Sequence, residues 1–294
     1  MAARVALPTS EETLLLFASY LAKQGLAHTT IKVYLSAVRN LHVSAGLHLE
    51  FAQQLTPRLE LVLQGIKKEY LRTSQHRHTR LPITKSIMSK IRLVLQQRTN
   101  NYNNKLLWAA CCTAFFGFLR CSEFTVPSQN DYDPDSHLSL SDVSVDSRME
   151  PSMIRIYIKQ SKTDPFRQGV HLCLGRTGNA ICPVTSLLSY LIIRKGTPGP
   201  LFVMENGQYL TRQLFGAHLN SILQEVGQNA KHYNTHSFRI GAATSARESG
   251  VSDENIQMLG RWKSDAYKLY IRTPREELAK LSGKLVAGLS VKEN

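Results

Sequence analysis

The chain has 294 residues, enough for two compact domains with separate cores. Its 43% hydrophobic residues and mean hydropathy of −0.21 exclude wholesale disorder. Thirty-six Lys and Arg against 22 Asp and Glu leave a net charge of +14, a surplus that suits a protein neutralising phosphates better than an enzyme of small metabolites. The charge is shared: residues 1–80 hold 10 basic and 5 acidic side chains, and residues 81–294 hold 26 and 17, which excludes a basic tail on a neutral enzyme. Five cysteines without a CxxC spacing read as reduced, mostly buried thiols of an intracellular protein, not a disulfide frame or zinc site. No apolar run approaches the ~20 residues of a membrane span, and MAARVALPTS lacks the apolar core of a signal peptide.

Residues 1–74 read as a helical module. Thr9 and Glu12 form a T-x-x-E capping box before LLLFASYLAKQG, with Gly25 as a left-handed stop. Ile31, Tyr34, Leu35, Val38 and Leu41 mark a second helix ending at Gly46. Thr56 and Pro57 open a third, bearing Leu59, Val62, Leu63 and Ile66. The outward faces carry Lys23, Lys32, Arg39, Lys67, Lys68 and Arg72, a candidate DNA-facing surface. A polar, basic stretch around residues 75–82 reads as a linker.

From residue 83 the spacing predicts helices at 84–97 and 104–119, the latter apolar nearly all round and so buried. The period then changes to two in HLSLSDVSVD (137–146), MIRIYI (153–158) and GVHLCL (169–174), which predicts a small three-stranded antiparallel sheet. Helices follow at 183–194, 211–227, 235–249, 252–259, 264–272 and 275–288. The fold class is therefore mainly α: a helical module, then an α+β domain with one small sheet.

Four pieces of the second domain are chemically marked: Arg120 and Glu123 in FLRCSEF; Lys159 and Lys162 in the strand turn IKQSKTDPFRQG; His236 and Arg239 in HSFR, followed by GAAT; and LGRWKSDAYKLYIR, with Arg261, Trp262, Tyr267 and Tyr270. Taken singly, each has a bland explanation: an i,i+3 ion pair, a solvated turn, a helix-start histidine, core tyrosines. Their order and spacing resemble the tyrosine recombinase family, the phage integrases and their Cre and Xer relatives, over nearly the whole chain. The last box is closest to the versions in eukaryotic DIRS-, Ngaro- and Crypton-type elements.

The resemblance implies a core-binding domain of SAM-like helical type (1–74), a linker (75–82) and a catalytic domain (83–294) ending in a helix that docks into a neighbouring protomer. It implies Arg120 and Arg239 on the scissile phosphate, Glu123 as the buried partner of Arg120, Lys162 rather than Lys159 as general acid, and His236 accepting the proton of the nucleophile Tyr270. Forked guanidiniums suit two phosphate oxygens that gain charge, and a neutral imidazole suits a tyrosine with a pKa near 10. One position departs from the pattern. Where many members have His or Trp nine residues before the tyrosine, this chain has Arg261, with Trp262 next to it; either group can donate a hydrogen bond to phosphate.

No metal or other cofactor is expected, and no clustered carboxylates of a two-metal nuclease appear. Lys32, Arg39, Lys67, Lys68 and Arg72 are the expected DNA contacts of the first domain. The expected partners are double-stranded DNA and further copies of the chain, a dimer on one site and a tetramer in synapsis, closing on duplex DNA as a two-domain clamp, in the nucleus and with no membrane association. Two other functions fit the same residues: a type IB topoisomerase-like enzyme without partner exchange, and a domesticated DNA-binding protein without chemistry.

Overall fold

The computed structural model describes residues 7–47, 56–73, 80–194, 196–272 and 279. The chain divides into two compact units, residues 1–78 and 79–294.

The first unit contains α1 (Glu11–Lys23), α2 (His28–Ser44) and α3 (Pro57–Thr73). Their apolar stripes close a small core of Leu14, Ala18, Leu21, Ile31, Leu35, Leu59 and Leu63. The T-x-x-E capping box does not form. Ser10 caps α1 by accepting from Thr13 N–H, because Thr9 is drawn inward: its own N–H donates to Nε2 of the buried His42 (2.9 Å). His42 Nδ1 in turn donates to the Val38 carbonyl (2.8 Å), so this imidazole is an internal clamp.

The second unit opens with an extended segment that docks on α8 (Ser237–Glu248): Leu81 N–H donates to the His232 carbonyl and Ile83 N–H to the Ser237 carbonyl, both at 2.9 Å. The small residues of GAAT permit this approach, since a Cβ on Gly241 would lie 1.8 Å from the Ile83 carbonyl oxygen. Helices α4 (Lys85–Gln97) and α5 (Asn101–Phe116) follow, with most of α5 buried, as its uniform apolarity requires. Strands β1 (Val143–Val145), β2 (Met153–Ile158) and β3 (Val170–Gly175) form an antiparallel sheet in that order, with Ile154, Ile156 and Ile158 facing the core. Helices α6 (Pro183–Arg194), α7 (Arg212–Glu225), α8 and α9 (Asp253–Gly260) complete the unit.

Three expected elements differ. The alternation in HLSLSDVSVD becomes strand only at Val143–Val145, because Asp142 turns back to accept from Ser139 N–H and holds the preceding residues in a 3-10 turn. The predicted helix at 264–272 is a 3-10 segment, Asp265–Leu269, capped by Ser264. The helix predicted over 104–119 ends at Phe116, before Arg120, as Phe118 adopts a left-handed conformation (φ 49°). Residues 75–79 of the linker and the expected C-terminal helix at 275–288, Ala279 apart, lie outside the described residues. No described helix is long and apolar enough to cross a membrane.

Candidate active site

The break after α5 sends the chain into a 3-10 turn, Cys121–Glu123, with Arg120 at its start. Glu123 folds back. Its Oε2 accepts from Arg120 N–H (3.0 Å) and its Oε1 from Arg120 Nη1 (2.9 Å). The same carboxylate accepts from Arg261 Nη2 at 2.7 Å, and Arg261 Nη1 donates to the Gly117 carbonyl (2.9 Å). Glu123 is only 4% exposed, so one buried anion orients two guanidiniums, that of Arg120 beside it and that of Arg261, 138 residues further along the chain. Arg261 itself is held in the left-handed region (φ 56°), which a non-glycine residue occupies only when its surroundings enforce it.

Arg239, one turn into α8, is fully buried. Its two terminal nitrogens donate to the carbonyls of Phe118 and Gly260, the frayed ends of α5 and α9. Those bonds use two of its five N–H groups, and Nε has no partner among the described residues. The guanidinium carbon lies 4.2 Å from the centre of the Trp262 ring and 5.6 Å from that of Tyr270. Burial, then Arg120, lower the Arg239 pKa to about 10, which leaves it charged at neutral pH. Gly260 is needed beside it: a Cβ there would fall 1.5 Å from the Trp262 indole. The indole N–H is buried and unpartnered among the described residues.

His236 is the N-cap of α8, its own N–H held by Asn234 Oδ1 at 2.9 Å. Burial, followed by Arg239, Arg120 and Arg212, lowers its pKa to about 4, so the imidazole is neutral at physiological pH. Its ring meets that of Tyr270 edge-on at 5.1 Å between centroids. Tyr270 follows the last 3-10 segment, half-buried, with its carbonyl accepting from Thr244 Oγ1 and its ring 4.9 Å from Trp262. The two tyrosines thus diverge. Tyr267 also packs near Trp262 (6.4 Å) but is 4% exposed, belongs to the core, and has its hydroxyl pKa raised by burial and Asp253.

Arg120, Glu123, His236, Arg239, Arg261, Trp262 and Tyr270 therefore converge. The hairpin lysines separate. Lys159 Nζ is spent on the Pro134 and His137 carbonyls, Ser139 Oγ and Asp142 Oδ2 (2.6, 3.2, 3.1 and 2.5 Å). Lys162 is exposed and makes no hydrogen bond to the group around Tyr270. Its neighbours Ser161 and Thr163 border a cavity of about 330 Å³ shared with Arg261 and Trp262, which sets the hairpin tip beside the site.

In the first unit Lys32, Arg39, Lys67, Lys68 and Arg72 are all exposed. Lys32 and Lys67 both act on His28, whose pKa is lowered by slight burial and then by these two cations, so α2 and α3 present them on a common surface. Arg72 is paired with Glu69 (3.0 and 3.1 Å). Sequence reasoning missed the Arg261–Glu123 pair and the carbonyl bridge of Arg239; no local pattern encodes either.

No protein-family model matches the chain, and no curated protein sequence resembles it significantly. Solved structures do. The Tn1549 transposon integrase, in complex with transposon right-end DNA, matches with a TM-score of 0.60 at 13% identity over 97% of this chain and 88% of that one. The XerH site-specific recombinase, bound to a palindromic substrate in a post-cleavage complex, matches with a TM-score of 0.62 at 15% identity over 95% and 72%. The XerA recombinase matches with 0.52 at 15% over 94% and 98%. These neighbours are tyrosine recombinases, and the chain shares their fold.

Proposed function

We propose that the chain is a site-specific DNA recombinase or integrase that cuts and rejoins strands through a 3′-phosphotyrosyl intermediate at Tyr270. The observation that carries this reading is the seating of the Tyr270 ring against a neutral His236 and beside the partly unsatisfied Arg239. The shared fold with DNA-bound recombinases supports it.

A phosphodiester placed over the free donors of Arg239 and Arg120 would have its developing charge met by fixed cations in a poorly hydrated site. The Tyr270 oxygen attacks phosphorus and passes its proton to His236; the P–O bond to the 5′-oxygen breaks, and that oxygen takes a proton from Lys162 on the exposed hairpin. Attack by the 5′-hydroxyl of a second strand reverses these steps. Trp262, with its unpaired indole N–H, is the third donor to the phosphate. Arg261 positions: its Nη1 and Nη2 are committed to Gly117 and Glu123, and its Nε alone has no partner among the described residues. Because guanidiniums and a lysine supply the charge and the proton, the reaction is proposed to need no metal. The exposed basic face of the first unit adds sequence-independent phosphate contacts. The closeness of the last box to DIRS- and Crypton-type sequences extends the proposal to a eukaryotic mobile element, acting in the nucleus as a dimer per site and a tetramer in synapsis.

The test starts from duplexes selected from a random pool by the full-length chain. Incubated in EDTA, they should yield a covalent protein–DNA adduct, and two selected sites on different duplexes should exchange strands. Binding without an adduct would support a DNA-binding protein instead. Relaxation of supercoils without exchange would support the topoisomerase-like reading.

A further inference from the structure

A second charged recess lies in the same unit, at the other end of α5, and nothing in the recombinase reading bears on it. It encloses about 410 Å³, within the range of small-molecule sites. Helix α4 contributes Arg92, the turn after it Arg98, the first turns of α5 Lys105 and Trp108, and the start of α6 Thr185 and Ser186. Eight residues of helix, a rise of about 12 Å, separate Trp108 from the end of α5 at Phe116, and Arg120 lies beyond that end.

Four features give the recess its chemistry. No carboxylate among the described residues lines it. Arg98 is turned toward Glu225 and Ser221, but Arg92 and Lys105, both half-buried, make no hydrogen bond or ion pair with any described residue. Two cations partly withdrawn from water without a counter-charge are unfavourable, and an anion between them relieves both. The N-terminal ends of α5 and α6 open on the same space, adding positive dipole ends. Trp108, one turn beyond Lys105, supplies a flat, half-buried apolar wall on which a ring can lie. A recess of this size admits a mononucleotide but not a duplex.

We propose that this recess binds a nucleoside phosphate, with the phosphate between Arg92 and Lys105 and the base against Trp108. The ligand would join α4, α5 and α6, and so brace the helix whose far end carries Arg120.

Calorimetric titration of the full chain with ADP, adenosine and inorganic pyrophosphate tests this. ADP should bind one to one and more tightly than either fragment. The double substitution Arg92→Gln and Lys105→Gln should weaken ADP at least about tenfold, and Trp108→Leu should weaken ADP but not pyrophosphate. Arg120→Gln should leave ADP binding unchanged. Circular dichroism of each variant verifies that it is folded; Arg92 and Lys105 hold no described partner whose loss would unfold the chain. ADP binding that survives the double substitution, or that disappears with Arg120→Gln, would overturn the proposal, as would no binding at millimolar ADP. Equal affinity for ADP and pyrophosphate would overturn the nucleotide assignment.

Discussion

Arg194 and Arg239 are both buried in the second unit, yet they do different things. Arg194 ends α6, and its Nε, Nη1 and Nη2 donate to the carbonyls of Leu201, Thr197 and Pro200 at 2.9, 2.6 and 2.7 Å. Each of its nitrogens is engaged, and the guanidinium serves as a pin between a helix end and a loop. Arg239 also bridges two carbonyls, but its Nε has no partner among the described residues, and Arg120, His236, Trp262 and Tyr270 surround it. Burial of a charge therefore does not mark a site. A leftover donor set among other reactive groups does, whereas a leftover donor alone does not, since Thr113 Oγ1 and Arg272 Nε also lack a partner among the described residues. The hairpin lysines repeat the contrast, with Lys159 saturated and Lys162 exposed.

Lysine at each arginine gives the sharpest test of this contrast. Arg239→Lys keeps the charge but loses the fork, so DNA cleavage by folded protein should fall about 10²–10³-fold, the usual consequence of losing one transition-state donor. Arg194→Lys strands carbonyls instead. It should lower unfolding free energy by about 2–4 kcal/mol while the cleavage rate of folded protein stays the same. If both variants slow cleavage equally, the distinction between pin and site fails.

A second test uses pH. His236 has a folded pKa of about 4 against about 6.5 unfolded, so the unfolded chain binds the extra proton first. Its contribution should be nil above pH 7, should destabilise progressively as pH falls from 6.5 to 4, and should level off below, reaching up to about 3 kcal/mol. Denaturant unfolding of the wild type and His236→Asn at pH 7.5, 5 and 4 isolates this one group; curves that stay parallel would show that the imidazole is not held neutral.

The smallest effect concerns the hairpin. Lys159→Met leaves Asp142 nearly buried and unpaired and should cost about 2 kcal/mol, whereas Lys162→Met should leave the melting temperature unchanged and slow cleavage. A substrate whose 5′-oxygen is replaced by sulfur needs no proton on leaving and should restore the rate of the Lys162 variant alone.

Local chemistry made the helices legible. Pro57 at a first helical position and the left-handed Gly25 and Gly46 stand where sequence logic puts them. Elements governed by tertiary contact were less legible. Thr9 was lost to His42, and SDAYKLYIR has helical spacing but tightens into a 3-10 turn. The candidate site was legible as an ordered set of residue types, and the structure brings most of that set together. Its internal wiring was not. Phe118 and Arg261 take left-handed conformations without being glycine, and Glu123 reaches across 138 residues to Arg261.

The central claim is that Tyr270, not Tyr267, carries the DNA. Both tyrosines lie near Trp262, but only Tyr270 also meets His236 and Arg239. Trapping the chain on a nicked duplex, from which the downstream strand diffuses away after cleavage, followed by mass mapping of the peptide bearing nucleotide, reads this directly. The mass addition should fall on Tyr270, disappear in Tyr270→Phe with DNA binding intact, and persist in Tyr267→Phe. An adduct on Tyr267, or an undiminished adduct in Tyr270→Phe, would contradict the account.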